Sequence, residues 1–293
     1  MVYLVLSILS ATGIFLVFKL IGQKSLPSFP VIIINYLTAC TLGFLINAER
    51  IRPNAILEAP WIPISVIIGI LFIVFFFVIA RSSSEAGISI TTVASKMSVV
   101  FPIAFSMAID PNDRLTWLKA VAVFLTLTGV YLTVYKPGNT PSDKKRMLLP
   151  LLLFIGMGIV DSLVKFAQHA FVRNENTALF SAVLFFMAFM TGIIILPFRK
   201  EGISEFRRWQ IWLWGILLGM VNFGSIFMMV NALNYVDKEG IRMDGSIVFG
   251  ANNIGIVSLS VLAGLLIFKE KLRTINWIGI AISALAIIFF TMA

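Results

Sequence analysis

Several stretches of this chain contain no Asp, Glu, Lys or Arg, among them residues 59–80, 209–236 and 245–268. Each of these three is at least as long as the roughly 20 apolar residues that carry an α-helix across a bilayer. Lipid cannot hydrogen-bond a free peptide group, so such runs must be helices or strands of a closed barrel. Barrel strands are about ten residues long and alternate in polarity. The run from Ile67 to Phe77 is apolar on every side, which is the pattern of a helix. Charged residues make up only 13% of the 293 residues, and 59% are hydrophobic. A soluble domain carries about 25% charged residues, so lipid must take the place of water over most of this surface.

Reading the remaining low-charge runs the same way predicts ten spans. They fall at about 2–21, 30–48, 61–80, 87–109, 117–135, 148–170, 177–197, 210–232, 245–268 and 275–292. Ten spans use about 200 positions. What remains makes short loops, with no room for a soluble catalytic domain. Residues 2–21 are long enough to span, and no basic segment precedes them, so they read as a helix of the mature protein and not as a secretory signal. The joints carry Pro27, Pro30, Pro53, Pro60, the triplet Asp110-Pro111-Asn112, and the stretch from Lys136 to Pro141.

The two halves of the chain match in order. Lys19 near the end of span one corresponds to Lys165 near the end of span six, 146 residues on; Gly69 corresponds to Gly219, 150 residues on. Asp113 corresponds to Glu270 at an offset of 157, while aligning Trp117 with Trp277 pairs Asp110 with Glu270 instead. A unit of five spans is odd in number, so its second copy enters the membrane upside down. Inverted repeats of this kind build many secondary transporters, with the substrate site at their interface near mid-membrane. The expected fold is therefore an all-α membrane protein of ten transmembrane helices in two inverted five-helix repeats. The repeats are expected over residues 1–137 and 148–293, with a linker at 138–147.

Several motifs resemble those of the drug/metabolite transporter superfamily, in particular its EamA-like ten-helix members. They are Gly13 followed by Lys19 in span one, Ala80 followed by Pro102, the step Glu270-Lys271-Leu272, and Trp277-Ile278-Gly279 soon after. The similarity runs along essentially the whole chain, although Asp113-Arg114-Leu115 stands where the family usually has Glu. The resemblance implies alternating access, export of small metabolites such as amino acids, and residence in a bacterial inner membrane. Proton coupling and exchange both remain open as the driving reaction.

Charges inside the spans carry the functional signal, because an ionisable group at mid-bilayer costs about 2.5–3.5 kcal/mol on insertion scales and faces a cavity or a partner. Lys96 lies about ten residues into span four, and Ser89, Thr92, Lys96 and Phe101 share broadly one side of that helix. Asp161 is the only acid deep within any span. With Lys165 and Gln168 it forms a polar stripe on span six, beside His169. Two arrangements are open: Asp161 pairs with Lys165 along its own helix, or it faces Lys96 across the repeat interface, where the two could hold a zwitterion. Lys19 and Lys165 are near enough to span ends to snorkel. Asn222 in span eight and Asn253 in span nine are uncharged groups able to orient a substrate or to bond a neighbouring helix. The candidate binding residues are thus Lys96, Asp161, Lys165, Thr92, Asn222, Asn253 and Lys19.

No enzymatic or nucleotide-binding motif competes with this reading: there is no His-Glu-x-x-His, no Gly-x-Ser-x-Gly and no phosphate loop. One cysteine, Cys40, and one histidine, His169, give no basis for a metal cluster, and no cofactor is expected. The formal charge of +9 lies mostly in loops flanking the membrane, which suits anionic headgroups and not nucleic acid. Expected partners are a small-molecule substrate and membrane lipids, for a monomer or a homodimer. A facilitative channel and a lipid-handling or scaffolding membrane protein are the other classes the spans allow. The loops on the side of the termini carry six Lys or Arg, from Arg50 to Arg242, against thirteen on the other side, from Lys24 to Arg273. The positive-inside rule then puts the termini outside the cytoplasm, whereas the resemblance puts them inside.

Overall fold

The computed structural model of the protein describes residues 2–46, 48, 58–109, 116–135, 141–171, 177–199, 203–235 and 245–292. Those residues form helices joined by turns, with no strand among them. In chain order the helices are α1 (Val2–Gln23), α2 (Ser28–Ile46), α3 (Ile62–Glu85), α4 (Ile88–Met97), α5 (Val100–Ile109) and α6 (Trp117–Val134). They continue with α7 (Pro141–Ala170), α8 (Thr177–Ile195), α9 (Trp209–Asn234), α10 (Gly245–Leu266) and α11 (Thr274–Thr291). Taking α4 and α5 as one span, eight are long and apolar enough to cross a membrane; the apolar segments Ala251–Leu266 and Thr274–Phe290 are shorter. Eight such helices make this a multi-pass membrane protein.

Three elements depart from the sequence reading. Span four is two helices, because Pro102 has no N–H to give to the carbonyl four residues back, that of Ser98, and its ring crowds that carbonyl. The Ser98 carbonyl accepts from Phe101 N at 3.0 Å instead, a tighter step, and the helix restarts at Val100. Helix α3 runs on past residue 80 to Glu85, since Arg81 and Glu85 pair at 2.6 Å one turn apart and suit a helix end in water. Helix α7 begins at Pro141, inside the expected linker at 138–147. Proline favours a first helical turn, so the charged stretch that reads as a linker is taken up into the helix.

One apolar cluster joins α1, α2, α3 and α8 around Phe18, Tyr36, Phe76 and Phe185. Tyr36 is fully buried there, and its hydroxyl donates to the Phe72 carbonyl at 3.1 Å, which satisfies a polar group that could not otherwise lie in a dry core. A second cluster joins α4, α6, α10 and α11 through Val93, Met97, Val130, Val257, Val261 and Ile280. Between helices the main contacts are α1 with α3, α9 and α10, α2 with α8 and α9, α3 with α7 and α8, α4 with α7 and α10, and α6 with α11. Outward-facing apolar side chains such as Val5, Ile67, Phe124, Leu127 and Met220 stay exposed. That is the surface lipid tails would cover.

The α6–α11 seam is the most extensive of these contacts. The last carbonyls of a helix have no partner within it, and in α6 they are met by one side chain. Asn276 Nδ2 donates to the carbonyls of Thr133 at 2.8 Å, Tyr135 at 3.0 Å and Leu132 at 3.3 Å, while its Oδ1 accepts from Arg273 N at 3.1 Å. Helix α11 thus starts where α6 ends, and the two run antiparallel from that point.

Candidate functional site

Lys96 stands in the last turn of α4, immediately before the break at Ser98 and Val99. Helix α7 crosses the same place. Ser98 Oγ donates to the Ser95 carbonyl at 2.6 Å and lies 3.3 Å from Asp161 Oδ2, and Lys96 and Asp161 lie close enough to attract one another. One turn further along α7, Lys165 Nζ donates to the Pro102 carbonyl at 3.4 Å. The polar stripe of α7 therefore runs along the broken part of span four, where helix ends leave backbone groups open to side chains. Close approach depends on Gly158, whose missing Cβ would fall against the Phe101 ring. Phe101 in turn meets Phe154 edge-on at 5.1 Å. Thr92, one turn before Lys96, is fully buried, and its hydroxyl has no hydrogen-bond partner among the described residues.

Of the seven candidate residues, the structure brings Lys96, Asp161, Lys165 and Thr92 to this one region. Asn222 is elsewhere: its amide lies 3.1 Å from that of Asn35, a buried amide pair joining α9 to α2. Ser225 Oγ bonds the Asn222 carbonyl at 2.8 Å, and Ser7 Oγ bonds the Ser225 carbonyl at 3.0 Å, so the amide pair extends into a polar seam reaching α1. Asn253 is half-buried on α10 beside Asn252, whose Oδ1 is buried without a hydrogen-bond partner among the described residues. The side chains of Gln168 and His169, and the residues Asp110 and Asp113, lie outside the described residues.

Lys19 has a partner that its position near a helix end does not reveal. Its Nζ lies 3.3 Å from Glu270 Oε1, and both side chains are largely buried. The same carboxylate accepts from Ile88 N at 2.7 Å, Ser89 N at 3.3 Å and Ser89 Oγ at 3.0 Å, so it caps the start of α4. A carboxylate there meets both the open N–H groups and the positive end of the helix dipole. Two glycines make room for it. A Cβ on Gly87, whose φ is +101°, would be 2.8 Å from Glu270 Oε1, and one on Gly264 would be 2.6 Å from Oε2.

Asn35 and Glu270 are the residues absent from the sequence-based candidates. Asn35 is a lone amide in an otherwise largely apolar α2, and an amide held at membrane depth needs a partner. If Asn35 and Asn222 bond as described, Asn222→Ala alone leaves a buried amide unpaired and costs about 1–3 kcal/mol. Adding Asn35→Ala should then cost little more. Unfolding titrations of both single variants and the double one measure the coupling, and fully additive losses would refute the pair.

No family model matches the chain. An uncharacterized protein of Haemophilus influenzae (strain ATCC 51907 / DSM 11121 / KW20 / Rd) is 26% identical over 290 residues, covering 97% of this chain and 95% of that protein. A protein of known crystal structure superposes with a TM-score of 0.55, covering 98% of both chains at 16% identity. That likeness is one of fold, and it spans the whole chain.

Proposed function

We propose that the chain is a secondary transporter of small metabolites that works by alternating access. In this reading it is an EamA-like member of the drug/metabolite transporter superfamily, in a bacterial inner membrane. The observation that carries the reading is the approach of Asp161 to Ser98 at the break in span four, 3.3 Å from its hydroxyl, with Lys96 near enough to attract it and the buried hydroxyl of Thr92 without a hydrogen-bond partner among the described residues. Broken helices that present charged and polar groups inside a helical bundle are the usual construction of a transporter site. Lys96 would hold a carboxylate or phosphate group, and Asp161 would take an amine or the coupling proton.

The packing supports two inverted repeats of five spans, with α4 and α5 together as the fourth. Exchanging span n with span n+5 turns the contact of α1 with α9 into that of α7 with α3, and α2 with α9 into α8 with α3. It turns α1 with α10 into α7 with the broken fourth span, and leaves α2–α8, α4–α10 and α6–α11 as they are. Gly69 abuts Met187 and Ala188 of α8, while Gly219 abuts Asn35 and Thr38 of α2. These are matched positions in the two halves. The contact of α1 with α3 lacks a counterpart of similar extent. Substrate would bind between residues 1–137 and 148–293, with the halves rocking about it. Export of amino acids or related metabolites is the substrate class and direction that we propose.

The test is reconstitution of the full chain in proteoliposomes, after a thermal-shift screen of metabolite classes has found a compound that stabilises it. Uptake of that compound should fall about 10- to 100-fold in Lys96→Ala and in Asp161→Asn, the loss expected for a charge-assisted bond. Acceleration by substrate on the opposite side would separate a carrier from a channel. Undiminished uptake in both variants would end this assignment of the site.

A further inference from the structure

A cavity of about 190 Å³ opens at one end of the bundle, where α3 and α6 finish and α4 and α11 begin. Its inner wall is apolar, made by Ile90, Val134 and Met147, while Lys271, Arg273 and Glu85 stand at its exposed rim. Glu85 is paired with Arg81 at 2.6 Å. Among the described residues, the charged side chains lining the opening are thus two cations, Lys271 and Arg273, and a carboxylate already paired with Arg81. The rim belongs to the side of the protein whose loops carry thirteen of the nineteen loop Lys and Arg residues. Under the positive-inside rule that side faces the anionic leaflet.

We propose that this cavity binds the phosphate headgroup of an anionic phospholipid. Lys271 and Arg273 would contact the phosphate. At roughly 30 Å³ per water, the cavity has room for about six water volumes. That suits a compact headgroup. A lipid is favoured over a free phosphate because one wall of the cavity, Tyr135, adjoins an exposed apolar strip. Tyr135 lines it and packs its ring 5.7 Å from that of Tyr131, which is exposed on α6 in line with Leu127 and Phe124. Acyl chains would lie along that apolar strip. The site also shares the turn Glu85-Ala86-Gly87 with the Glu270 cap, so an occupied headgroup would brace the start of α4 from outside. This inference rests on the membrane-spanning fold and the ten-span placing of the loops, and is independent of the transport reading.

The test uses the full chain in detergent with added phosphatidylglycerol or phosphatidylcholine, read by native mass spectrometry and thermal shift. Phosphatidylglycerol should be retained and raise the midpoint, and phosphatidylcholine should do neither. Lys271→Gln with Arg273→Gln should weaken retention roughly thirtyfold, given the usual contribution of headgroup-level cations. Lys271→Gln alone, which leaves the start of α11 untouched, should give about fivefold. Equal retention by all forms would overturn the proposal. So would an equal midpoint shift from inorganic phosphate, since that would assign the cavity to a soluble anion.

Discussion

Glu270→Ala is expected to lower the stability of the folded protein by about 3–5 kcal/mol, the range seen when one member of a buried charged pair is removed. The carboxylate is the shared partner of Lys19 Nζ, two amide groups at the start of α4 and the Ser89 hydroxyl. Alanine would strand the ammonium in a largely buried place and reopen the α4 N-terminus, and water has little access to either. Glu270→Gln should cost less, because an amide oxygen still accepts a hydrogen bond while the attraction to Lys19 is lost. Lys19→Met should cost less again, since the carboxylate keeps its three donors. The order Ala, then Gln, then Lys19→Met is the diagnostic result. Equilibrium unfolding in mixed micelles reads it, and a Glu270→Ala protein within about 1 kcal/mol of the parent would rule the cap out. The tie joins span one, span four and the turn after span nine.

The spans were legible because charge-free length is set by bilayer thickness, a property of the chain alone. Nine of the ten expected segments coincide with one helix to within a few residues, apart from the extensions of α3 and α7, and eight of the ten are long and apolar enough to cross a membrane. Span four was read correctly in place but not in form. The break falls four residues before Pro102, where the acceptor that its missing N–H would have met lies. Lys96 and Asp161 stood out because an apolar helix makes any charge conspicuous. Sequence could not choose between Lys165 and Lys96 as the neighbour of Asp161, because that depends on which helix crosses α7. Lys19 shows the opposite limit. Its distance from the helix end suggested snorkelling, and only the fold reveals that the loop after α10 turns back over α4 and offers Glu270. Asn35 was invisible for a third reason. It sits inside a charge-free span, and a search for charge passes over an amide.

Gly279→Leu should be as disruptive as loss of the Glu270 cap, by a different route. Gly279 lies one turn after Asn276 on the face of α11 that meets α6, and an added Cβ would fall on the backbone nitrogen of Thr133 and lie 2.7 Å from the Leu132 carbonyl carbon. Gly129 makes the reciprocal approach, where a Cβ would be 2.5 Å from Ser283 Oγ and 2.9 Å from Ser283 N. Helical backbone cannot rotate aside as a side chain can, so the helices must part. Parting them stretches the Asn276 bonds to the α6 carbonyls, and those buried groups have no water to turn to. Overpacking of this kind costs about 1–3 kcal/mol by itself, and the lost bonds add about 1–3 kcal/mol more. Gly279→Ala gives the cleanest reading because two effects oppose each other. Helix propensity alone would make alanine more stable by about 0.8–1 kcal/mol, whereas the close approach predicts a net loss. Gly224→Ala supplies the contrast, since its Cβ would meet only Ser10 Oγ at 3.1 Å, a side-chain atom able to move. A stabilised Gly279→Ala protein would mean that α6 and α11 do not meet backbone to backbone, and the seam would then have to be redrawn.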